Sequence, residues 1–136
     1  DDEMVLTPTY HLFKMYIPHQ GAEYLPLHYE SKQLRDKNNR VVNTLSATAS
    51  RAEDGTVTIT LANVDLVSDC RITISLDDDK KYDVSGSILT SKNISDHNTF
   101  EDPECIKTVK YDNFKSQKGS IEVVLPTKSI VSLTLK

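Results

Sequence analysis

The sequence predicts an all-β protein: a two-sheet antiparallel β-sandwich, jelly-roll-like, of about eight strands with one short N-terminal helix. Three observations carry that reading. In the stretch Gly55 to Asp65, Val57, Ile59 and Leu61 fall on one face of an extended chain and Thr56, Thr58 and Thr60 on the other, the period of two of a half-buried strand. The same alternation of Val, Ile and Leu with Ser and Thr returns at near-regular spacing, with turn residues between the runs. The length of 136 residues is about one domain, and no repeat or linker divides it.

In chain order, Thr7-Pro8 followed by Leu12, Phe13, Tyr16 and Ile17 predicts a short helix with Thr7 as N-cap, Pro8 at the first helical position and Pro18 at its end. So short a helix is marginal in water and must lean on a neighbour. Tyr10, His11, Phe13, Met15 and Tyr16 exceed what one apolar stripe requires, which predicts a partner surface beyond this chain. Ala22 to Ser31 is a first strand, held to an edge or a bulge by Pro26, which cannot donate to a ladder. Lys32 to Arg40 reads as a solvated polar loop. Leu45, Ala47 and Ala49 mark the next strand, joined to Gly55–Asp65 by a turn of about five residues in an antiparallel hairpin. At Ala62 and Val64 the apolar parity changes, so the second hairpin strand is buried on both faces or bends through a bulge, an inner strand in either case.

Cys70, Ile72, Ile74 and Leu76 make a fourth strand, and Val84, Gly86 and Ile88 a fifth in which Gly86 signals a bulge or a close backbone approach. Between them, Asp77-Asp78-Asp79 is oxygen-rich but lacks the alternating ligands, central Gly and closing Glu of a calcium loop, and it reads as a solvated turn. Val109, Tyr111 and Phe114 form a short strand, and Ile121, Val123 and Leu125 the next. Val131, Leu133 and Leu135 close the chain. The interval Ser91 to Lys107 breaks the pattern and is long for a connection in a compact domain. There His97 with Glu101, Asp102 or Glu104 could serve a metal or an acid/base role, but no second His is near and no nucleophile is marked. The competing reading makes Phe100 a plug at the end of the sandwich, with the loop's polar groups satisfying its own backbone.

Sixteen Lys and Arg against twenty Asp and Glu give a net charge of −4, with the basic residues scattered, so nucleic acid is not an expected partner. No apolar run approaches the ~20 residues of a membrane span, and Asp1-Asp2-Glu3-Met4 has nothing of a signal peptide, so the chain is expected to be soluble and to start within a longer protein. Cys70 and Cys105 do not form a Cys-x-x-Cys motif and read as two reduced thiols, with a single disulfide as the alternative. They do not assign a compartment. No cofactor is implied.

Several segments resemble the C-terminal part of family 51 glycoside hydrolases, the α-L-arabinofuranosidases. They are Thr7 to Tyr16 (Thr-Pro-Thr-Tyr-His-Leu-Phe-Lys-Met-Tyr), Pro18-His19-Gln20-Gly21, Ala47 to Arg51, Gly55 to Asn63, Gly86 to Thr90, His97-Asn98-Thr99-Phe100-Glu101-Asp102-Pro103, Leu125-Pro126 and Lys128 to Val131. The resemblance runs in order through nearly the whole chain and is most specific in the first segment and in that of His97 to Pro103. It implies a modular enzyme, a catalytic (β/α)₈ barrel followed by this sandwich, that removes terminal non-reducing α-L-arabinofuranosyl residues from arabinan and arabinoxylan with retention. Such chemistry needs two carboxyl groups about 5–5.5 Å apart. In the family the acid/base glutamate lies in a Gly-Asn-Glu motif on the barrel, and no Asn of this sequence is followed by Glu, so no catalytic residue is carried over.

The resemblance makes residues 1–21 the remnant of the last barrel helix and its linker, with Tyr10, Phe13 and Tyr16 packing on the barrel, and residues 22–136 the C-terminal sandwich. His97, Asn98 and Phe100 become the anchor of the long loop. Family members also complete this sandwich with a short segment that precedes the barrel, which implies an unpaired sheet edge here and a tendency to self-associate or to borrow a strand. The loop of Ser31 to Arg40 is longer than the family pattern requires. The function implied is that of a non-catalytic accessory domain supporting the barrel and oligomer assembly. An independent carbohydrate-binding module is the alternative, but with no Trp, and with several Tyr and Phe assigned to helix or core, the sequence offers few aromatic platforms for a sugar. An extracellular adhesion sandwich has no positive support in the residues.

Overall fold

The computed structural model describes residues 14–29, 31, 33–35, 38–65, 67–76, 80–90 and 108–136. Among them the chain forms eleven strands. The first five are β1 (Glu23–Leu25), β2 (Gln33–Arg35), β3 (Val41–Asn43), β4 (Leu45–Arg51) and β5 (Val57–Asn63). Then come β6 (Cys70–Ser75), β7 (Val84–Thr90), β8 (Val109–Tyr111), β9 (Phe114–Gln117), β10 (Ser120–Leu125) and β11 (Ser129–Leu135). They build a six-stranded sheet in the order β1-β4-β5-β11-β7-β8, a three-stranded sheet in the order β6-β10-β9, and a separate two-stranded ribbon, β2-β3. Every pairing is antiparallel.

β5 is an inner strand, as its alternation predicts, with Ile59 opposite Ala49 on β4 and Leu133 on β11. Val57, Ile59 and Leu61 face the core, while Thr58 and Thr60 on the opposite face are buried as well. At the change of parity, however, Ala62 is only half-buried, and the pairing with β4 and β11 runs on without a bulge. The strand ends at Asn63, and Val64 is exposed. The turn before it spans residues 52–56, the expected five. Asp54 accepts the Thr56 N–H at 3.0 Å, and Gly55 takes φ +89°, a left-handed conformation that suits glycine.

The core lies between the two large faces. Leu45, Ala49, Ile59, Leu61, Ile88, Val131 and Leu133 of the six-stranded sheet pack with Ile121, Val123 and Leu125 of β10, which are essentially sealed from water. Gly86 is a close approach, as expected: a Cβ there would sit 2.7 Å from the backbone oxygen of Tyr111, its partner across β7–β8. β1 is an edge strand, and it stops at Leu25, directly before Pro26.

The structure departs from the expected eight strands in two places. The polar loop of Lys32 to Arg40 contains β2, which pairs with β3 as a hairpin; Asn39 takes φ 62° at its tip and accepts a hydrogen bond from the Arg35 guanidinium at 3.1 Å. Polar composition hid this ribbon, whose described side chains, Gln33, Arg35, Val41 and Asn43, are all exposed. The run Val109 to Phe114 is two strands, β8 in the large sheet and β9 in the small one, since Asp112-Asn113 carry the chain across the sandwich. The Tyr111 hydroxyl holds this corner through the carbonyls of Asn113 and Val124.

The expected helix is described only from residue 14 onward. A helical turn over residues 14–16 tightens into a 3₁₀ turn, Ile17–His19, with Pro18 inside that turn and Gln20 extended beyond it. Pro18 thus changes the winding, and the helical course ends one residue later than expected. The calcium and turn readings of Asp77 to Asp79 lie outside the described residues, as do Cys105 and the whole of residues 91–107.

Candidate functional site

Two surfaces stand out. The first is the face of the six-stranded sheet that points away from the core. Strand alternation places Ser46, Thr48 and Ser50 of β4, Thr58 and Thr60 of β5, and Ser132 and Thr134 of β11 there, a field of small hydroxyl side chains. The segment of residues 14–20 lies on it. Met15 is buried with Leu89, and Tyr16 and Ile130 pack around that pair.

His19 completes this contact. Its Nδ1 lies 2.6 Å from Ser50 Oγ and its Nε2 2.7 Å from Thr60 Oγ1, so one imidazole bridges β4 and β5. The Tyr16 ring stands 5.7 Å from it at a 45° tilt. Burial lowers the His19 pKa and raises that of Tyr16. Sequence reasoning misses His19 except as part of a motif, because its partners lie 31 and 41 residues away. The signal that could find it is the hydroxyl face of β5, which needs a polar cover once both faces are buried.

The second surface follows from unequal sheets. Six strands face three, so the small sheet cannot cover the inner face of the large one. β6 pairs only with β10 among the described strands, and its other edge looks onto a groove of about 680 Å³. Ala47, Ala49, Ile59 and Leu61 line the groove from β4 and β5, Ile72 and Ile74 from β6, and Leu25, Leu27, His28 and Tyr29 from the β1 side. Ile72 and Ile74 remain half-buried, whereas Ile121 and Val123 on neighbouring β10 are fully covered. Among the described residues the arrangement is that of a sandwich with one strand position open, backed by apolar side chains and bordered by a strand edge.

Neither surface gathers catalytic machinery among the described residues. No group of three or more His, Cys, Asp and Glu able to hold a metal occurs among them. Cys70 is a free, half-buried thiol whose pKa is pushed up by burial and by the Asp65 carboxylate, which keeps it in the unreactive protonated form. Of the residues singled out in the sequence, Tyr16 lies in the contact of residues 14–20 with the sheet, while Tyr10, Phe13, His97, Asn98 and Phe100 lie outside the described residues. No described helix is long and apolar enough to cross a membrane.

Residues 1–129 match the family described as the α-L-arabinofuranosidase C-terminal domain. The chain belongs to this family. Its 136 residues are 46% identical to the "Intracellular exo-alpha-L-arabinofuranosidase" of Bacteroides ovatus, covering 100% of this chain and 26% of that protein. The crystal structure of the GH51 arabinofuranosidase from Xanthomonas axonopodis pv. citri superposes with a TM-score of 0.90 at 35% identity, over 99% of this chain and 27% of that one. An α-L-arabinofuranosidase structure from Thermotoga maritima shares the fold, with a TM-score of 0.82 at 21% identity over 98% of this chain and 30% of its own. The chain therefore spans about a quarter of the length of the relatives it matches.

Proposed function

We propose that this chain is the non-catalytic C-terminal accessory domain of an α-L-arabinofuranosidase, a retaining glycoside hydrolase. The parent enzyme releases terminal non-reducing α-L-arabinofuranosyl residues from arabinan and arabinoxylan in L-arabinose metabolism. The observation that carries this reading is the family match over residues 1–129 in a chain equal to about a quarter of its relatives. The sandwich supports a (β/α)₈ barrel of the same polypeptide. Residues 1–21 are the end of that barrel and its linker, with Tyr10, Phe13 and Tyr16 at the junction, and residues 22–136 form the accessory domain. His97, Asn98 and Phe100 anchor the long loop. The groove beside β6 takes a strand from the segment ahead of the barrel; in the isolated chain the same edge favours self-association.

Two assays test the reading. The chain alone is expected to show no turnover of an aryl α-L-arabinofuranoside, and any turnover that survives repurification would overturn it. Titration with arabino-oligosaccharides is expected to show no saturable binding; saturation near millimolar or tighter would make the domain a carbohydrate-binding module instead. A coding sequence ahead of Asp1 that specifies a barrel with a Gly-Asn-Glu motif supports the parent activity, and an unrelated one argues against it.

A further inference from the structure

The His19 bridge joins two elements with different supports. Ser50 and Thr60 belong to neighbouring strands of the buried sheet, and their side chains are 4% and 1% exposed. Residues 14–20, by contrast, touch that sheet through Met15, Tyr16 and His19. We propose that His19 is a protonation-sensitive clasp that fastens residues 14–20 to the outer face of β4 and β5 and releases them on acidification.

The argument rests on what two hydroxyls can offer one ring. A neutral imidazole has one N–H donor and one acceptor nitrogen. It donates to one hydroxyl and accepts an O–H from the other, so both short contacts are satisfied in a half-buried site. An imidazolium has two donors, and the hydroxyl that donated must turn its proton elsewhere. The cation would also lack a counter-charge on the strands it faces. On that face β4 presents Ser46, Thr48 and Ser50, β5 Thr58, Thr60 and Ala62, and β11 Ile130, Ser132 and Thr134, none of them charged. Tyr24 of β1, opposite Ser50, is the titratable group nearest in register. Arg51 and Glu23 stand opposite each other in register on the alternate face. From its own segment His19 meets the Tyr16 ring, and the exposed Lys14 is the one charged residue of 14–20.

The depressed His19 pKa agrees with this geometry. The folded value lies below the ordinary ~6.5 of a free histidine, so the neutral clasp contributes fully above that pH. Its contribution is lost as pH falls through the folded value, by up to about tenfold in the clasp equilibrium for each unit separating the two values.

Amide exchange tests the clasp in the unmodified chain. The N–H groups of Gln20 and Ala22 donate to the carbonyls of Ile17 and His19 and so report on the segment. After correction for intrinsic exchange, their protection is expected to fall between pH 8 and pH 5 with the midpoint at which the His19 ring titrates by NMR, while Thr60 and Leu133 amides keep theirs. His19→Gln, which cannot titrate, is expected to flatten the dependence. Protection of Gln20 and Ala22 that ignores the ring titration overturns the proposal, and so does an equal loss in the Gln variant. If that variant fails to fold, coincidence of the two midpoints in the unmodified chain decides, and separate midpoints overturn the clasp.

Discussion

Gly86 and Asn63 show how much of this sandwich depends on single side chains, or on the lack of one. At Gly86 the neighbouring atom is a backbone oxygen, and Leu133 Cδ2 and Phe114 Cε1 stand at 3.2 and 3.3 Å from the same point. A methyl group there can be admitted only by moving β8 away from β7. Gly86→Ala is accordingly expected to destabilise by about 1–3 kcal/mol, seen as a lower urea midpoint with an unchanged m-value; an unchanged midpoint would show that β8 yields freely. Asn63 is 1% exposed, and its Nδ2 lies 3.1 Å from the carbonyls of Ser68, Leu125 and Pro126, while its Oδ1 accepts the Asp65 N–H at 3.0 Å. One amide thus ties the end of β5 to the β10–β11 connection and to the turn after Asp65. Asn63→Ala strips the buried Asp65 N–H of its acceptor and is expected to cost about 1–3 kcal/mol. Asn63→Asp keeps that acceptor but turns a second oxygen toward three carbonyls, and should cost at least as much in the same denaturation experiment. Gly86 was legible in the sequence, since a glycine inside an alternating strand marks a bulge or a place where another backbone comes close. Asn63 was not, because the carbonyls that need its amide are brought near only by the fold.

Among the elements, strands covering the core were the readable ones. The β4–β5 hairpin announces itself through Ala47, Ala49, Ile59 and Leu61 on one face and a five-residue turn between. The β2–β3 ribbon gave no such sign: alternation of apolar and polar residues records burial, and the described side chains of this hairpin, Gln33, Arg35, Val41 and Asn43, are exposed. Its pairing is internal, Gln33 to Asn43 and Arg35 to Val41, with Val41 exposed. The ribbon should then be an appendage to the sandwich. Replacing residues 33–42 by a short Gly-Ser link is expected to change stability by less than about 1 kcal/mol, because loop length enters closure entropy only logarithmically. Ser31, whose Oγ accepts the Leu45 N–H at 2.9 Å, must be retained in that deletion. A loss of several kcal/mol in thermal or urea unfolding would mean that the ribbon braces the sandwich.

For the whole molecule, the decisive feature is the mismatch between a six-stranded and a three-stranded sheet. Alternation along a strand tells which face is apolar, but not which sheet the strand joins. The sandwich was therefore predictable, and the open position beside β6 was not visible in the residues themselves. That position has two attractions for an extended chain: an edge of β6 that no described strand pairs and an apolar floor from β4 and β5. Thr73 and Ser75 lie on this edge strand with exposed side chains directed away from the core, on the face opposite Ile72 and Ile74. Lysines at these two positions would place charge along the edge without entering the core, so Thr73→Lys with Ser75→Lys is expected to change stability by no more than about 0.5 kcal/mol per site. The unmodified chain should sediment with a weight-average mass that rises with concentration, and the double variant should stay at the 15.3 kDa of one chain. If both sediment as strict monomers, the open edge does not recruit a second copy. If both associate alike, the contact lies elsewhere on the molecule and the β6 edge is not its seat.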